Sequence, residues 1–234
     1  MRHGAKNILA ATCLAEFIGT LVLVFAGTGA IVVDDQTHGA VTHVGVGLVF
    51  GLVVMAMIYA LGEASGAHLN PAVTIGFCAA RRMRMRQGGF YIGSQVAGAL
   101  AASLMMRMLF PDDSTLGGTA PSGPAMQSLV LEVVLTAILM MVILGVSSGP
   151  KEVGVMAGIA IGGTVGLEAI FAGPISGASM NPARSIGPAV VAGRMPVLWI
   201  YLIGPVAGAL LGVVAWAGIQ PAVRGSFVKE MKHG

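Results

Sequence analysis

Charge is what this sequence has least of: Asp, Glu, Lys and Arg together make up 10% of its 234 residues. A water-soluble domain carries about 25%, so this chain cannot cover a surface facing water, and a soluble fold is excluded. Cysteine is nearly absent, with Cys13 and Cys78 alone. Both lie in apolar runs without metal-ligand spacing and read as packing residues, not as a disulfide or a metal site. The 13 basic residues give a net charge of +3, yet they cluster at the ends of apolar stretches. That placement is an orientation signal and leaves no basic surface for nucleic acid. No nucleophile–base pair or metal constellation is visible, so an enzyme is not expected.

What is present is apolar length. Hydrophobic residues make up 56% of the chain, and a bilayer crossing needs about 20 of them in a row. Six stretches qualify: 8–33, 41–62, 89–110, 126–147, 154–173 and 197–219. The first is too long for a signal-peptide core of about 7–15 residues and is expected to remain as a spanning helix. One membrane domain over 1–234 is the economical reading. With six spans both termini share a side, and ten of the 13 basic residues fall there: Arg2, Lys6, Arg81, Arg82, Arg84, Arg86, Lys151, Arg224, Lys229 and Lys232. Asp34, Asp35, Asp112 and Asp113 fall on the other side. The positive-inside rule places both termini in the cytoplasm of a multi-pass protein of the cell (plasma or inner) membrane.

Two connecting stretches are too short to span and too apolar for surface loops. SGAHLNPAVTIG (65–76) and SGASMNPARSIG (176–187) agree at eight of twelve positions, 111 residues apart. Glu16 with Thr20 in the first span is matched by Glu132 with Thr136 in the fourth. The chain is therefore a duplication, with repeat 1 over about 8–110 and repeat 2 over about 126–219. Three spans per repeat force the second copy to enter from the opposite face, which makes the repeat inverted. Paired, Pro-interrupted short segments at matching positions point to a transport site.

Asn70, Pro71 and Ala72, and Asn181, Pro182 and Ala183, each read as a helix start, with Asn as N-cap and Pro in the first turn. The helices expected are Pro71–Ala80 and Pro182–Val191. Ten residues reach about 15 Å, half of a hydrocarbon core of about 30 Å. Two such half-helices would meet tip to tip near the midplane. Carbonyls just before each Asn would line a wet path, the Asn amides would donate into it, and two positive helix ends would repel cations.

With these motifs the layout resembles the aquaporin, or major intrinsic protein, family over the whole chain. The resemblance implies an all-α membrane fold of six transmembrane helices plus two re-entrant half-helices. It also implies a homotetramer in the bilayer, without a cofactor, passing water and small neutral solutes. Spacing from the motifs aligns Phe50, Ala169, Ala178 and Arg184 with the family's constriction. Strict water channels usually carry His at the position of Ala169, and glycerol facilitators Asp at that of Ser185. Tyr201, Leu202 and GPISGASMNPARSIGPA are similar to plant nodulin-26-like channels and their bacterial relatives, which pass water, glycerol and metalloid acids such as boric or arsenous acid. A multi-solute channel is therefore expected, with a strict water channel as the alternative.

The intramembrane charges fit that expectation. Arg184 is costly inside a membrane and functional by default, the alternative being a snorkelling interfacial residue. Glu16 and Glu132 are expected to hold loop amides, the alternative being a proton relay. His68, just before the first motif, is a candidate pore-lining residue. Glu63 stands where relatives usually have His, and Glu168 precedes Ala169. Both are read as packing against loop backbone, with pore-facing positions as the alternative. Two rival classes remain: a secondary transporter, which would need a coupling-ion site, and an ion channel, which Arg184 argues against.

Overall fold

The structure is a computed structural model that describes residues 2–148 and 155–233, with side chains described for 7–148 and 155–220. Lys151 lies outside the described residues, as do the side chains of Arg2, Lys6, Arg224, Lys229 and Lys232. Among the described residues eight helices follow in order: α1 (Arg2–Gln36), α2 (Thr42–Ser65), α3 (Pro71–Ala79), α4 (Met85–Leu109), α5 (Ala125–Val146), α6 (Ala157–Ser176), α7 (Pro182–Ala192) and α8 (Leu198–His233). Six are long and apolar enough to cross a membrane, and α3 and α7 are short. Their outer faces stay apolar: Leu52, Met108, Val130, Phe171 and Val214 are each more than half exposed. Such a surface needs lipid or a neighbouring subunit against it.

The duplication is visible in the packing. α1 packs on α2 and α4, and α5 packs on α6 and α8. Each half-helix crosses to the other repeat, α3 against α8 and α7 against α4, and α2 and α6 form the seam between the halves. Glycine makes the close crossings possible. A Cβ on Gly98 would lie 2.3 Å from the Phe17 carbonyl oxygen, and one on Gly208 2.3 Å from that of Val133. At the seam, Gly51 and Gly162 would each press a Cβ onto the other's carbonyl, at 2.7 and 2.5 Å. With no hydrophobic drive between helices in lipid, this backbone proximity is what holds them.

The fifth span begins and ends later than the hydropathy suggested. It runs through Pro174 to Ser176 and is capped by Gly177, whose φ is +82° and whose N–H donates to the Gly173 carbonyl at 2.9 Å. Pro174 has no N–H to give the Ile170 carbonyl, and His43 Nε2 lies 2.6 Å from that oxygen instead. The half-helices likewise end one residue from expectation, at Ala79 and Ala192.

Candidate functional site

Each Asn caps its half-helix through its own side-chain oxygen. Asn70 Oδ1 accepts from the Ala72 N–H at 2.8 Å, and Asn181 Oδ1 from those of Ala183 and Arg184 at 3.0 and 3.3 Å. The amide nitrogens do something the sequence did not disclose. Asn70 Nδ2 donates to the Met180 carbonyl at 2.7 Å, and Asn181 Nδ2 to the Leu69 carbonyl at 2.8 Å. The two tips are thus cross-linked, each Asn fastened to the loop of the other repeat. An amide has two N–H donors, so one per Asn is spent on this clasp and one is left. The same bonds divide the carbonyls expected to line the path just before each Asn. Leu69 and Met180 are taken, and the free acceptors lie one to three residues earlier. Among the described residues no protein donor reaches the carbonyls of Gly66, Ala67 and His68, or of Gly177, Ala178 and Ser179.

The loops leading to the tips hold a costly shape. Ala67 and Leu69, and their counterparts Ala178 and Met180, all have positive φ (46°, 52°, 38° and 53°). For non-glycine residues this costs about 1–2 kcal/mol each. The shape turns successive N–H groups inward, a nest for an anion, and a glutamate fills each nest. Glu16 accepts from the His68 and Leu69 N–H groups at 2.9 and 2.8 Å, and from the Ser65 hydroxyl and the Gln95 amide, both at 2.7 Å. Glu132 accepts from the Ser179 and Met180 N–H groups at 2.9 and 2.8 Å and from the Ser176 hydroxyl at 2.9 Å. Both carboxylates are fully buried. A tyrosine braces each loop from behind: the Tyr91 hydroxyl donates to the Ser65 carbonyl at 2.8 Å and that of Tyr201 to Ser176 at 2.6 Å. Tyr91 went unnoticed in the sequence, although its place in repeat 1 matches that of Tyr201.

A cavity of about 610 Å³ passes the clasp. Phe50, Val54, Ile58 and Gly62 of α2 line it, together with Ala157, Ile161, Val165 and Ala169 of the neighbouring α6. Both are stripes at four-residue spacing. Twelve residues of helix make the lined path about 18 Å long. Asn70, Asn181, His68, Ala178 and Arg184 line it as well, and Phe50 and Ala169 stand at the same end of the two stripes, since Gly47 meets Ile170 and Gly51 meets Gly166. The Arg184 guanidinium carbon stands 5.1 Å from the Phe50 ring centre. Its side chain is 2% exposed, and Nη1 has no protein partner. Gly27 makes room for this pair, since a Cβ there would overlap the Phe50 ring at 2.1 Å. His68 stacks on Phe77 with ring centres 4.4 Å apart, and its Nδ1 lies 3.1 Å from the Thr74 hydroxyl.

Two readings are corrected. Glu63 does not pack on loop backbone; it is exposed and lines the cavity at the end away from Arg184, because α2 turns that face inward along the Phe50–Gly62 stripe. Glu168 neither lines the cavity nor meets the loop. It is fully buried with both carboxyl oxygens unpartnered, since the loop amides it could have received are bound to Glu132. Among the described residues no group of His, Cys, Asp and Glu could hold a metal ion.

The profile of the family described as "Major intrinsic protein" matches residues 5–216. "Aquaporin NIP1-4" of Oryza sativa subsp. japonica is 52% identical over 205 residues, covering 87% of this chain and 74% of that protein. "Aquaporin NIP1-1" of the same plant is 48% identical over 94% of this chain and 81% of its own length. "Probable aquaporin NIP4-2" of Arabidopsis thaliana is 46% identical over 85% and 71%. Among solved structures, that of the aquaglyceroporin from Plasmodium falciparum superposes with a TM-score of 0.76 at 25% identity, covering 88% of this chain and 94% of the other. Its fold is the fold described above. The chain belongs to the major intrinsic protein family.

Proposed function

We propose that the protein is a passive channel for water and small uncharged solutes, including glycerol and metalloid acids such as boric or arsenous acid. The observation that carries this is the clasp. Asn70 and Asn181 tie the positive ends of two opposed half-helices together beside the same cavity that Arg184 enters. Each helix end brings about half a positive charge. At an effective dielectric of about 20 and a distance of about 5 Å, the pair raises the energy of a monovalent cation by about 3 kcal/mol. That lowers cation occupancy about a hundredfold, and Arg184 adds a full charge further along. A neutral molecule feels none of this and can exchange its hydrogen bonds for the free loop carbonyls and the second N–H of each Asn.

Phe50, Ala169, Ala178 and Arg184 form the selectivity filter in this reading. Arg184 supplies donors to a solute hydroxyl, and Ala169 leaves the facing wall small and apolar, wide enough for more than water. Relatives named as aquaporins and a structural neighbour titled an aquaglyceroporin support the solute class. The protein works as a homotetramer of independent pores in the cell membrane with both termini cytoplasmic, which the face-biased arginines support.

Stopped-flow swelling of proteoliposomes tests the reading, comparing water, glycerol and boric acid in wild type and Ala169→His. Flux should rise linearly with the gradient at low activation energy, and the histidine should reduce glycerol flux more than water flux. Saturable, proton-driven uptake would indicate a coupled transporter, and equal losses would remove Ala169 from the filter.

A further inference from the structure

The internal repeat provides a control for one feature that the pore does not use. After each half-helix the chain makes the same turn. The Arg81 N–H donates to the Cys78 carbonyl at 3.0 Å and that of Arg82 to Phe77 at 2.9 Å; in the second copy Gly193 donates to Val190 at 3.3 Å and Arg194 to Ala189 at 2.8 Å. The turn residue is left-handed in both, with φ of +59° at Arg81 and +71° at Gly193. Aligned on this turn, Arg81, Arg82, Met83 and Arg84 stand opposite Gly193, Arg194, Met195 and Pro196. The second copy carries what the backbone favours. Glycine takes positive φ without a Cβ clash, and proline suits the φ of −75° found at Arg84 before the next helix. The first copy has arginine at both positions.

These arginines enclose something. Arg81, Arg82 and Arg84 line a shallow concavity with Met83, Gln87 and Cys78. All three arginines are exposed. Arg82 is braced by the Ser147 hydroxyl at 3.0 Å and by that of Ser148, which fixes one wall. No acidic residue occurs from Ala64 to Pro111. Next to it on α4, on either side of the exposed Arg86, Met85 is 74% exposed and Phe90 45%. From Phe90 an exposed apolar face of α4 runs through Leu104 to Met108, both more than half exposed. A charge placed only to orient the chain needs to lie on this face; it does not need a strained backbone position or a concave arrangement.

We propose that this concavity binds the phosphate of an anionic glycerophospholipid, with Arg81 and Arg84 as its forked donors and Arg82 as a fixed wall. Guanidinium forks match phosphate oxygens, and the acyl chains would lie along the apolar face of α4. That continuity favours a lipid over a free anion. The site lies outside the pore and does not rest on the channel reading.

Purified full-length protein in neutral detergent would be titrated with short-chain phosphatidylglycerol, with phosphatidylcholine of equal chain length, and with inorganic phosphate. Thermal midpoint and bound lipid in native mass spectrometry are the readouts. Phosphatidylglycerol should raise the midpoint by several degrees, and the other two should not. Arg81→Gly with Arg84→Gln should bind phosphatidylglycerol at least tenfold more weakly, while its lipid-free midpoint stays at or above wild type because glycine relieves the left-handed turn. Should the double variant fail to fold, Arg84→Gln alone carries the comparison. Arg194→Gln, at the equivalent turn of the other repeat, should keep the shift. Undiminished binding by the arginine variants, or an equal loss in Arg194→Gln, overturns the site; equal stabilisation by phosphatidylcholine or inorganic phosphate overturns the lipid assignment.

Discussion

Three glutamates are buried among the described residues, and the presence or lack of donors gives them opposite consequences. Glu132 receives two backbone N–H groups and a hydroxyl. Glu132→Ala would strand those donors at about 1–3 kcal/mol for each buried group, so a loss of at least about 3 kcal/mol is expected. Tyr201→Phe removes a single hydrogen bond to the same loop and should cost about 1 kcal/mol. Unfolding in detergent would rank the two, and a larger loss for Tyr201→Phe would contradict the role given to the nest. Glu168 has no partner for either oxygen. Replacing an unsatisfied buried polar group by an apolar one of similar shape is neutral or stabilising, so Glu168→Met should keep or raise the unfolding temperature. A drop comparable to that of Glu132→Ala would mean that Glu168 has a partner after all.

At the scale of helices and loops, backbone proximity decides. Gly98→Ala would drive a Cβ to 2.3 Å from the Phe17 carbonyl, whereas Gly93 on the same helix has nothing within 4 Å. Forcing α1 and α4 apart should cost about 1–3 kcal/mol, while Gly93→Ala should be neutral or gain up to about 1 kcal/mol from helix propensity. Yield of folded protein and unfolding temperature measure both, and similar behaviour of the pair would contradict the crossing geometry. The loop between α4 and α5 is built on Asp113, whose Oδ1 accepts from the Thr115 and Leu116 N–H groups at 2.9 and 2.6 Å. Partial burial acts to raise its pKa, but these bonds, the Thr115 hydroxyl and Arg107 outweigh it and hold the carboxyl below the usual carboxylate value. The folded pKa is the depressed one, so the contribution is present above about pH 4 and lost as pH falls through the folded value. Wild type should therefore lose stability in that acid window, and Asp113→Asn should flatten the loss. An unchanged acid profile in the variant would remove Asp113 from the account.

For the molecule as a whole, orientation follows from charge and not from shape, because the inverted repeat is nearly the same seen from either face. Reporter fusions at the C-terminus test it. A fluorescent protein that matures in the cytoplasm should glow, and alkaline phosphatase, which works only on the outer side, should be inactive. The opposite pattern would invert the proposed topology and move the filter at Phe50 and Arg184 to the cytoplasmic end.

The sequence alone determined the six spans, the duplication and its inversion, and the two Asn-capped half-helices, because length, repetition and capping are local properties written in consecutive residues. It pointed to Glu16 and Glu132 through their symmetry. Only the tertiary structure decided that each Asn is fastened to the opposite loop, that Tyr91 and Tyr201 brace the loops, that Gly27 makes room for Phe50, and that Glu63 reaches the cavity while Glu168 does not. The reason is physical. In a soluble protein the apolar stripe of a helix marks its inner face. In a bilayer both the lipid-facing and the core-facing sides are apolar, so the pattern that would say which way a side chain points is missing. Facing is settled by close backbone approach at glycine and by which donors find which acceptors, and both depend on residues about half a chain apart in sequence.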